Sequence, residues 1–484
     1  MNTATFSLAT LAPAMPEIVL SLLVFLLLIV DVFTKDSPRP TTYYLTILSL
    51  IGTAALTATT LGQPTVATFQ GLFVSDLMSQ SLKVAMLLTV AATLMMSRSY
   101  LEARGMLSGE FLCLSVFSAI GMMVMISAQH FLTLYLGLEL MALSQYAVVA
   151  LQRDSVRATE AGMKYFVLGA LSSGLLLYGL SMVYGATGSL ELTRVAYSIE
   201  HGQAHQMLAV FGLVFVVAGI AFKLGNAPFH MWIPDVYHGA STPATLLVGA
   251  APKIAAFAFI MRLLANGLQG LTADWQQMLV VLAVLSLLVG NVVAIAQMNL
   301  KRMLAYSTIS HMGFLVLGIL AGTGNGYSSA MFYVIVYAIT TLGSFGMILL
   351  LSRAGFESEN IDDFRGLNQK SKWYAFVMMV LMFSLTGLPP TAGFFAKLAV
   401  LQAVLEAGYT WLVVYAVLLS VVGAFYYLRI VKLMYMDPPG AELTIDPRAE
   451  TRWVLSATAV ATLFLGILPA PLMDLCVRAI TASM

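Results

Sequence analysis

Residues 207–237 read MLAVFGLVFVVAGIAFKLGNAPFHMWIPDVY, and this stretch decides the class of fold. It is mainly apolar and too long to cross a bilayer once as a straight helix, for which about 20 residues suffice. Pro228 and Pro234 lie near its middle, and proline interrupts the hydrogen bonds of a helix. We therefore predict a helix that is broken inside the membrane, which is tolerated only beside protein or a water-filled cavity.

The composition of the whole chain also indicates a membrane protein. Of its 484 residues, 60% are hydrophobic and 10% are charged, whereas about 25% of a soluble protein is charged. No room remains for a soluble catalytic domain. The net charge of +1 gives no field that would favour nucleic acid. Cys113 and Cys476 stand alone in apolar sequence, which argues against metal, haem and iron–sulfur sites.

Apolar runs separated by turn residues and charges predict an all-α, polytopic protein of about fourteen transmembrane helices. A second run, 372–406, is also too long for one straight crossing and carries Pro389-Pro390 near its middle. The predicted spans are 11–33, 42–61, 76–97, 109–127, 130–151, 162–185, 207–237, 242–265, 274–296, 302–320, 326–351, 372–406, 409–435 and 451–474.

The basic residues of the connections predict the orientation. Basic residues near the end of a predicted span are counted with the adjoining connection, and on that count every arginine belongs to a connection or to the tail. The even-numbered connections and the C-terminal tail contain only Arg194, Arg262 and Arg478. Because cytoplasmic connections collect Lys and Arg, both termini are predicted to lie on the periplasmic side. The odd-numbered connections contain Lys35, Arg39, Arg98, Arg104, Arg153, Arg157, Lys301, Arg302, Arg353, Arg365, Lys370, Lys372, Arg429, Lys432, Arg448 and Arg452.

Five lysines fall inside the predicted spans, where a charge is costly and usually marks a polar pathway. Lysine suits proton transfer because burial brings its proton affinity towards neutral pH, whereas arginine stays charged. Near the ends of their spans, Lys83 and Lys164 could instead extend to the headgroup region. Lys223 and Lys253 lie near midpoints, too deep for that, and Lys397 follows Pro390 by seven residues.

Glu139 is the one carboxylate that we predict near the middle of a span. No opposite charge lies three or four residues away on its own helix. It must therefore be neutral or paired with a group from another helix, and the nearest candidates by depth are Lys223 and Lys253.

Other titratable groups have less specific positions. Acidic residues at span ends are expected to be solvated, namely Asp31, Asp76, Glu110, Glu160 and Asp474. Histidines can relay protons near neutral pH, although a histidine at a helix end is more often merely hydrogen-bonded. The candidates are His130, His230, His238 and His311.

The order of the spans predicts an internal repeat. Residues 109–265 and 266–435 each hold five spans, of which the fourth is broken. Because five is odd, the second block enters the membrane in the opposite orientation, as in the inverted repeats of many transporters. The chain then divides into three N-terminal helices (1–108), the two repeats, and a C-terminal helix (436–484).

Four stretches carry a resemblance to a known family. They are FKLGNAPFHMWIPDVYHGASTPATLLV (Phe222–Val248), AAPKIAAF (Ala250–Phe257), GLPPTAGFFAKL (Gly387–Leu398) and TEAGMKYFVLGALSSG (Thr159–Gly174). The chain resembles the antiporter-like membrane subunits of respiratory complex I, the NADH-quinone oxidoreductase, and within them the subunit N branch. The resemblance extends over essentially the whole chain.

The resemblance implies a function and a set of residues. Glu139, Lys223, Lys253 and Lys397 match the intramembrane charges of the family, and Lys164 matches a lysine typical of the branch. By resemblance this chain moves protons outward across a bacterial inner membrane, beside other membrane-arm subunits of the complex. It implies that NADH, FMN, iron–sulfur clusters and quinone bind in partner subunits, with no cofactor or metal in this chain.

The predicted mechanism uses a Glu139–Lys223 pair. Opening that pair lowers the proton affinity of Lys223, and the proton moves along water towards Lys253 and then Lys397. One alternative is a subunit of a multisubunit sodium/proton antiporter, which has the same fold and motifs. Another is a stand-alone permease for an organic solute, and the lysine chain argues against anionic solutes.

Overall fold

The computed structural model describes residues 8–34, 39–439 and 448–484, which are almost entirely helical. The first helices are α1 (Leu8–Leu11), α2 (Met15–Phe33), α3 (Pro40–Ala58), α4 (Leu77–Ala103), α5 (Gly109–Ser127) and α6 (Phe131–Val149). A two-stranded antiparallel hairpin precedes α4 and consists of β1 (Val66–Thr68) and β2 (Phe73–Ser75), with Ala67 opposite Val74.

The central part of the chain is divided into shorter pieces. It contains α7 (Val156–Thr187), α8 (Leu192–Glu200), α9 (Gln206–Leu224), α10 (Trp232–Gly239), α11 (Thr242–Gly249), α12 (Ala251–Ile260) and α13 (Thr272–Ile295). A π-helical segment, Met261–Gly267, continues α12.

Long helices return after α13, with one further interruption. They are α14 (Leu300–Leu320), α15 (Gly324–Leu351), α16 (Leu367–Lys370), α17 (Lys372–Thr386), α18 (Ala392–Glu406), α19 (Thr410–Met436), α20 (Ala449–Ile467) and α21 (Ala470–Ser483). Short 3₁₀ segments occur at Ala12–Ala14, Phe69–Gly71, Gln269–Leu271 and Ile361–Phe364.

The predicted all-α membrane fold is confirmed. Among the described residues, 12 helices are long and apolar enough to cross a membrane, or 13 if α20 and α21 form one bent span. The two predicted spans outside those 12 helices are 372–406 and 451–474. The first is split into α17 and α18. The second corresponds to α20 and the start of α21, which meet at 80° beside Pro469.

The first predicted break lies where the glycine and proline of the sequence place it. Helix α9 ends before Gly225, whose φ of +85° is left-handed. Pro228 lies within the break, whereas Pro234 lies in the first turn of α10, where no intrahelical N–H bond is lost. The hydroxyl of Ser286 on α13 accepts from the side chain of Asn226 at 3.0 Å, which holds the open segment.

The second break repeats this arrangement. Gly387, with φ of +87°, ends α17, and Pro389-Pro390 fills the gap before α18. The broken segment also lies tightly against α20. A Cβ on Gly466 would stand 2.1 Å from the carbonyl oxygen of Pro390, so only glycine allows this approach.

The interrupted helices surround the centre of the molecule. In each membrane-spanning helix, the 18 consecutive residues of highest hydropathy show how deeply the helix is packed. All of these residues are buried in Thr242–Gly267, and 94% of them are buried in α14. Only 28% of these residues are buried in Ala12–Phe33 and 33% in α19, so these two helices are peripheral. The buried titratable groups described below lie on or against the central helices.

Candidate functional site

Lys253 caps the first broken helix. Its amino group donates to the carbonyl oxygens of Leu224 at 2.8 Å and Lys223 at 3.2 Å, and the side chain is almost fully buried. The last carbonyls of a helix have no partner inside that helix, and an ammonium is favoured there by the helix dipole. The indole of Trp232, at the start of α10, lies 5.3 Å from the same amino group.

Lys397 caps the second broken helix in the same way. Its amino group donates to the carbonyl of Thr386 and to the hydroxyl of Ser420, both at 2.8 Å. It lies 4.9 Å from the ring of Phe314, much as Lys253 lies near Trp232. A Cβ on Gly387 would stand 2.8 Å from the Lys397 chain, so the glycine that ends α17 also leaves room for the lysine.

Lys223 lies in the last turn of α9 beside helix α6. In the described part of the chain, none of the ion pairs includes Lys223, Lys253 or Lys397. The Lys223 amino group is 6.0 Å from the centre of the Tyr146 ring.

Glu139 does not form the predicted direct pair with Lys223. One oxygen of Glu139 and the hydroxyl of Tyr146 are buried without a hydrogen-bond partner among the described residues. Both side chains belong to α6, seven residues and two turns apart, so they share one face of that helix. Neither a hydrogen bond nor an ion pair joins Glu139 to Lys223 among the described residues.

A small cavity separates Lys223 from Lys253. Its free volume is about 20 Å³, and both lysines line it together with Tyr165 and Gln145. About 10–15 Å³ is enough to hold one water molecule. Tyr165 donates to Gln145 at 3.0 Å, and its ring stacks on Trp232 with centroids 4.7 Å apart.

His311 on α14 is the centre of a second polar cluster. Its Nδ1 lies 2.6 Å from the hydroxyl of Tyr333, and its Nε2 lies 3.1 Å from that of Tyr427. Tyr337, one turn after Tyr333 on α15, lines a cavity of about 10 Å³ with His311 and Lys397. The structure thus brings the predicted His311 to the predicted Lys397.

The tyrosines of this cluster were missed in the sequence. Tyr337 donates to Thr308 at 2.8 Å, and Tyr427 is bonded to Ser307, so two hydroxyl residues of α14 join the cluster. A spacing of four residues between Tyr333 and Tyr337 in an apolar helix was the available signal, because it places both hydroxyls on one face.

The other predicted histidines lie elsewhere. His230 lies in the first break, and its Nδ1 is buried without a partner among the described residues. His238 is in the last turn of α10, where its backbone carbonyl accepts from Arg157. His130 caps α6, with its ring accepting from the N–H of Leu132 at 3.2 Å.

Lys164 lies at the surface, apart from the other lysines. It forms ion pairs with Glu160 at 2.7 Å and Asp235 at 3.0 Å. Asp235 belongs to α10 and also pairs with Arg302 at 3.1 Å. The geometry therefore gives Lys164 a contact with the half-helix α10 rather than with the cavities.

Three sequence predictions about single charges were wrong. Arg262 is inside a buried helical segment rather than in a connection, and Asp76 is not solvated. The two form a fully buried pair with N–O distances of 2.8 Å. Lys83 does not extend to a headgroup region, because its amino group pairs with the buried carboxylate of Glu17. Glu17 lies near the start of the first apolar run, and the sequence does not predict it as the partner of Lys83.

Lys301 was also placed in a connection, whereas it lies in the first turn of α14 and is buried. Its amino group donates to the carbonyl of Ala240 at 2.7 Å and lies 3.7 Å from Glu357. Within the described residues, no group of three or more His, Cys, Asp or Glu side chains could hold a metal ion.

Comparison with known proteins places this arrangement in a family. The family model described as NADH:quinone oxidoreductase/Mrp antiporter, transmembrane, matches residues 128–423. A protein named NADH-quinone oxidoreductase subunit N from Thiobacillus denitrificans is 61% identical over 477 residues, which is 99% of this chain and of that protein.

Solved structures of lower sequence identity are similar to this chain over nearly its whole length. A chain of respiratory complex I from Thermus thermophilus, with bound aureothin, has a TM-score of 0.82 and 31% identity, over 95% of this chain and 98% of that one. A chain of the Mrp complex from a Dietzia species has a TM-score of 0.83 at 20% identity, over 97% of both chains. The second likeness concerns the fold alone.

Proposed function

The chain belongs to the NADH-quinone oxidoreductase subunit N family, and from this premise we propose that it carries protons through a path formed by Glu139, Lys223, Lys253 and Lys397. It is a proton-translocating membrane subunit of a bacterial complex whose redox centres lie in other subunits. The single observation that carries the path is the repeated geometry of Lys253 and Lys397. Lys253 is buried and Lys397 is partly buried, and each donates to at least one carbonyl that a helix break leaves unpaired.

This geometry allows a lysine to hold and to release a proton. The carbonyls stabilise the ammonium, whereas burial without a counterion favours the neutral amine, so a small change nearby alters the balance. In a coupled chain of such groups, each proton affinity depends on the charge of its neighbours. Space for about one water molecule lies between Lys223 and Lys253, and such a water would carry a proton between them.

Glu139 supplies the charge that changes the first step. When its carboxylate approaches Lys223, the ammonium is stabilised; when it withdraws, the proton is released towards Lys253. The arrangement described above corresponds to the withdrawn state, since the two groups are not bonded. His311 and Tyr337 line one small cavity with Lys397, and in the proposed path they pass the proton to that lysine. Lys164 supports the path from outside by holding α10.

We further propose that both termini lie in the periplasm. The excess of Lys and Arg in the odd-numbered connections supports this orientation, and it grows when Arg262 is removed from the even-numbered set. Lys35, which is one of the basic residues of the odd-numbered connections, lies outside the described residues. The division into 1–108, 109–265, 266–435 and 436–484, with two inverted repeats, is proposed on the positions of the two breaks.

The sodium/proton antiporter alternative has the weaker support. The family model includes both kinds of protein. However, identity is 61% to a protein named subunit N and 20% to the Mrp chain. The test is to isolate the chain from solubilised membranes. It should migrate in a large NADH-oxidising complex, and a functional homo-oligomer without redox partners would contradict the assignment.

A further inference from the structure

The half-helix α10 is held at its C-terminal end by two basic side chains. The guanidinium of Arg157, on α7, donates to the carbonyl of His238. The amino group of Lys301, on α14, donates to the carbonyl of Ala240 at 2.7 Å. These carbonyls end the helix and have no partner within it. The position of α10 therefore depends on where the two cations are fixed.

The other end of α10 contacts the environment of Lys253. The indole N–H of Trp232 donates to the carbonyl of Phe222 at 2.9 Å, and its ring lies 5.3 Å from the Lys253 amino group. An eight-residue helix is a rigid rod of about 12 Å. A displacement of its C-terminal end therefore also moves Trp232, which covers Lys253.

Glu359 fixes the position of Arg157. Its two oxygens accept from the two terminal nitrogens of the guanidinium at 2.9 and 2.8 Å. This is the bidentate geometry that arginine forms and lysine does not. The same guanidinium also contacts α10. The contact is therefore more than an isolated surface ion pair, whose contribution is small.

The connection that carries Glu359 is itself anchored. The carbonyl of Glu359 accepts from the N–H of Leu300 at 2.6 Å, and Ile361 donates to the carbonyl of Met298 at 3.0 Å. Burial alone would raise the pKa of Glu359, but the hydrogen bond from Arg157 and the charge of Lys301 lower it below its usual range. The carboxylate is therefore ionised at neutral pH and fixed in place.

We propose that Glu359 is a positioning residue for proton transfer at Lys253, acting through Arg157 and the half-helix α10. This inference rests on the proposed path through Lys253. It gives the connection between α15 and α16 a role in the chemistry, although none of its residues touches the lysines of the path.

The test compares variants in the assembled complex, in membrane vesicles that oxidise NADH. Replacing Glu359 with Gln, or Arg157 with Lys, should lower the number of protons pumped per NADH by about two- to tenfold. Glu359→Asp should restore part of the loss because it keeps the charge. A residue that serves only assembly would lower NADH oxidation and pumping together.

Glu450→Gln is the matched control. Glu450 accepts from Arg98 at 2.7 Å on the same predicted side of the membrane, and that pair joins α4 to α20 rather than to α10. This variant should pump the parental number of protons per NADH. An equal loss in Glu450→Gln, or a parental ratio in Glu359→Gln, would overturn the inference. Lys253→Met separates it from the proposed function: a parental ratio in that variant would instead refute the path.

Discussion

The amino group of Lys253 performs two tasks that substitution can separate. It satisfies two buried carbonyls, and in the proposed path it also exchanges a proton. Lys253→Met removes both tasks and leaves the carbonyls of Lys223 and Leu224 unpaired. A buried unsatisfied group costs about 1–3 kcal/mol, so the two unpaired carbonyls should destabilise the folded subunit by about 2–6 kcal/mol.

Lys253→Arg keeps donors and a positive charge but fixes the proton. A guanidinium has a pKa above about 12, at least about five units above neutral pH. Releasing its proton at neutral pH therefore costs about 7 kcal/mol more than release from a group that titrates at neutral pH. This corresponds to a slowing of about 10⁵-fold. We therefore expect the arginine variant to assemble better than the methionine variant and still to pump at a negligible rate.

The assay measures NADH-driven quinone reduction and proton pumping in vesicles, after the assembled complex has been verified on a native gel. Lys83→Arg is the matched control, because Lys83 is buried against Glu17 in an ion pair outside the path, where a fixed charge suffices. It should pump normally. An assembled Lys253→Arg complex with the parental number of protons per NADH would refute the role of Lys253 as a carrier.

Three further predictions concern the surroundings of the path. Arg262→Met leaves Asp76 buried and uncompensated, which costs about 3–5 kcal/mol, so the yield of assembled complex should fall while any complex that forms keeps its proton-to-NADH ratio. His311→Phe keeps the ring volume but removes the bonds to two tyrosine hydroxyls, and pumping should fall by about tenfold or more in vesicles with normal assembly. A reporter fused after Met484 should be periplasmic and one in the 353–372 connection cytoplasmic; the reverse pattern would overturn the orientation.

The fold and the lysines could be predicted because their signals are local. A lysine in a run of apolar residues is visible without knowledge of its neighbours, and proline with glycine marks the point where a helix ends. These signals located Lys253, Lys397 and both breaks. The contacts of the lysines with helix carbonyls follow from the breaks, although the sequence does not give the partner of each amino group.

The missed residues depend on how helices pack. Tyrosine is frequent in apolar helices, and only the packing of α14, α15 and α19 brings Tyr333 and Tyr427 to His311. Arg262 is three residues from the end of the predicted span 242–265, so it was assigned to solvent. The π-helical continuation to Gly267 and the approach of Asp76 bury it instead.

Lys223→Arg tests the central claim most directly. The Lys223 amino group makes no hydrogen bond or ion pair with the described residues, so its replacement leaves no carbonyl unpaired and disturbs the fold least. Arginine keeps the charge that Glu139 acts on but does not release its proton. The measurement is proton pumping per NADH oxidised in vesicles that contain the assembled variant complex. Strongly impaired pumping is the predicted result, whereas pumping at the parental rate would make Lys223 a structural partner and contradict the path.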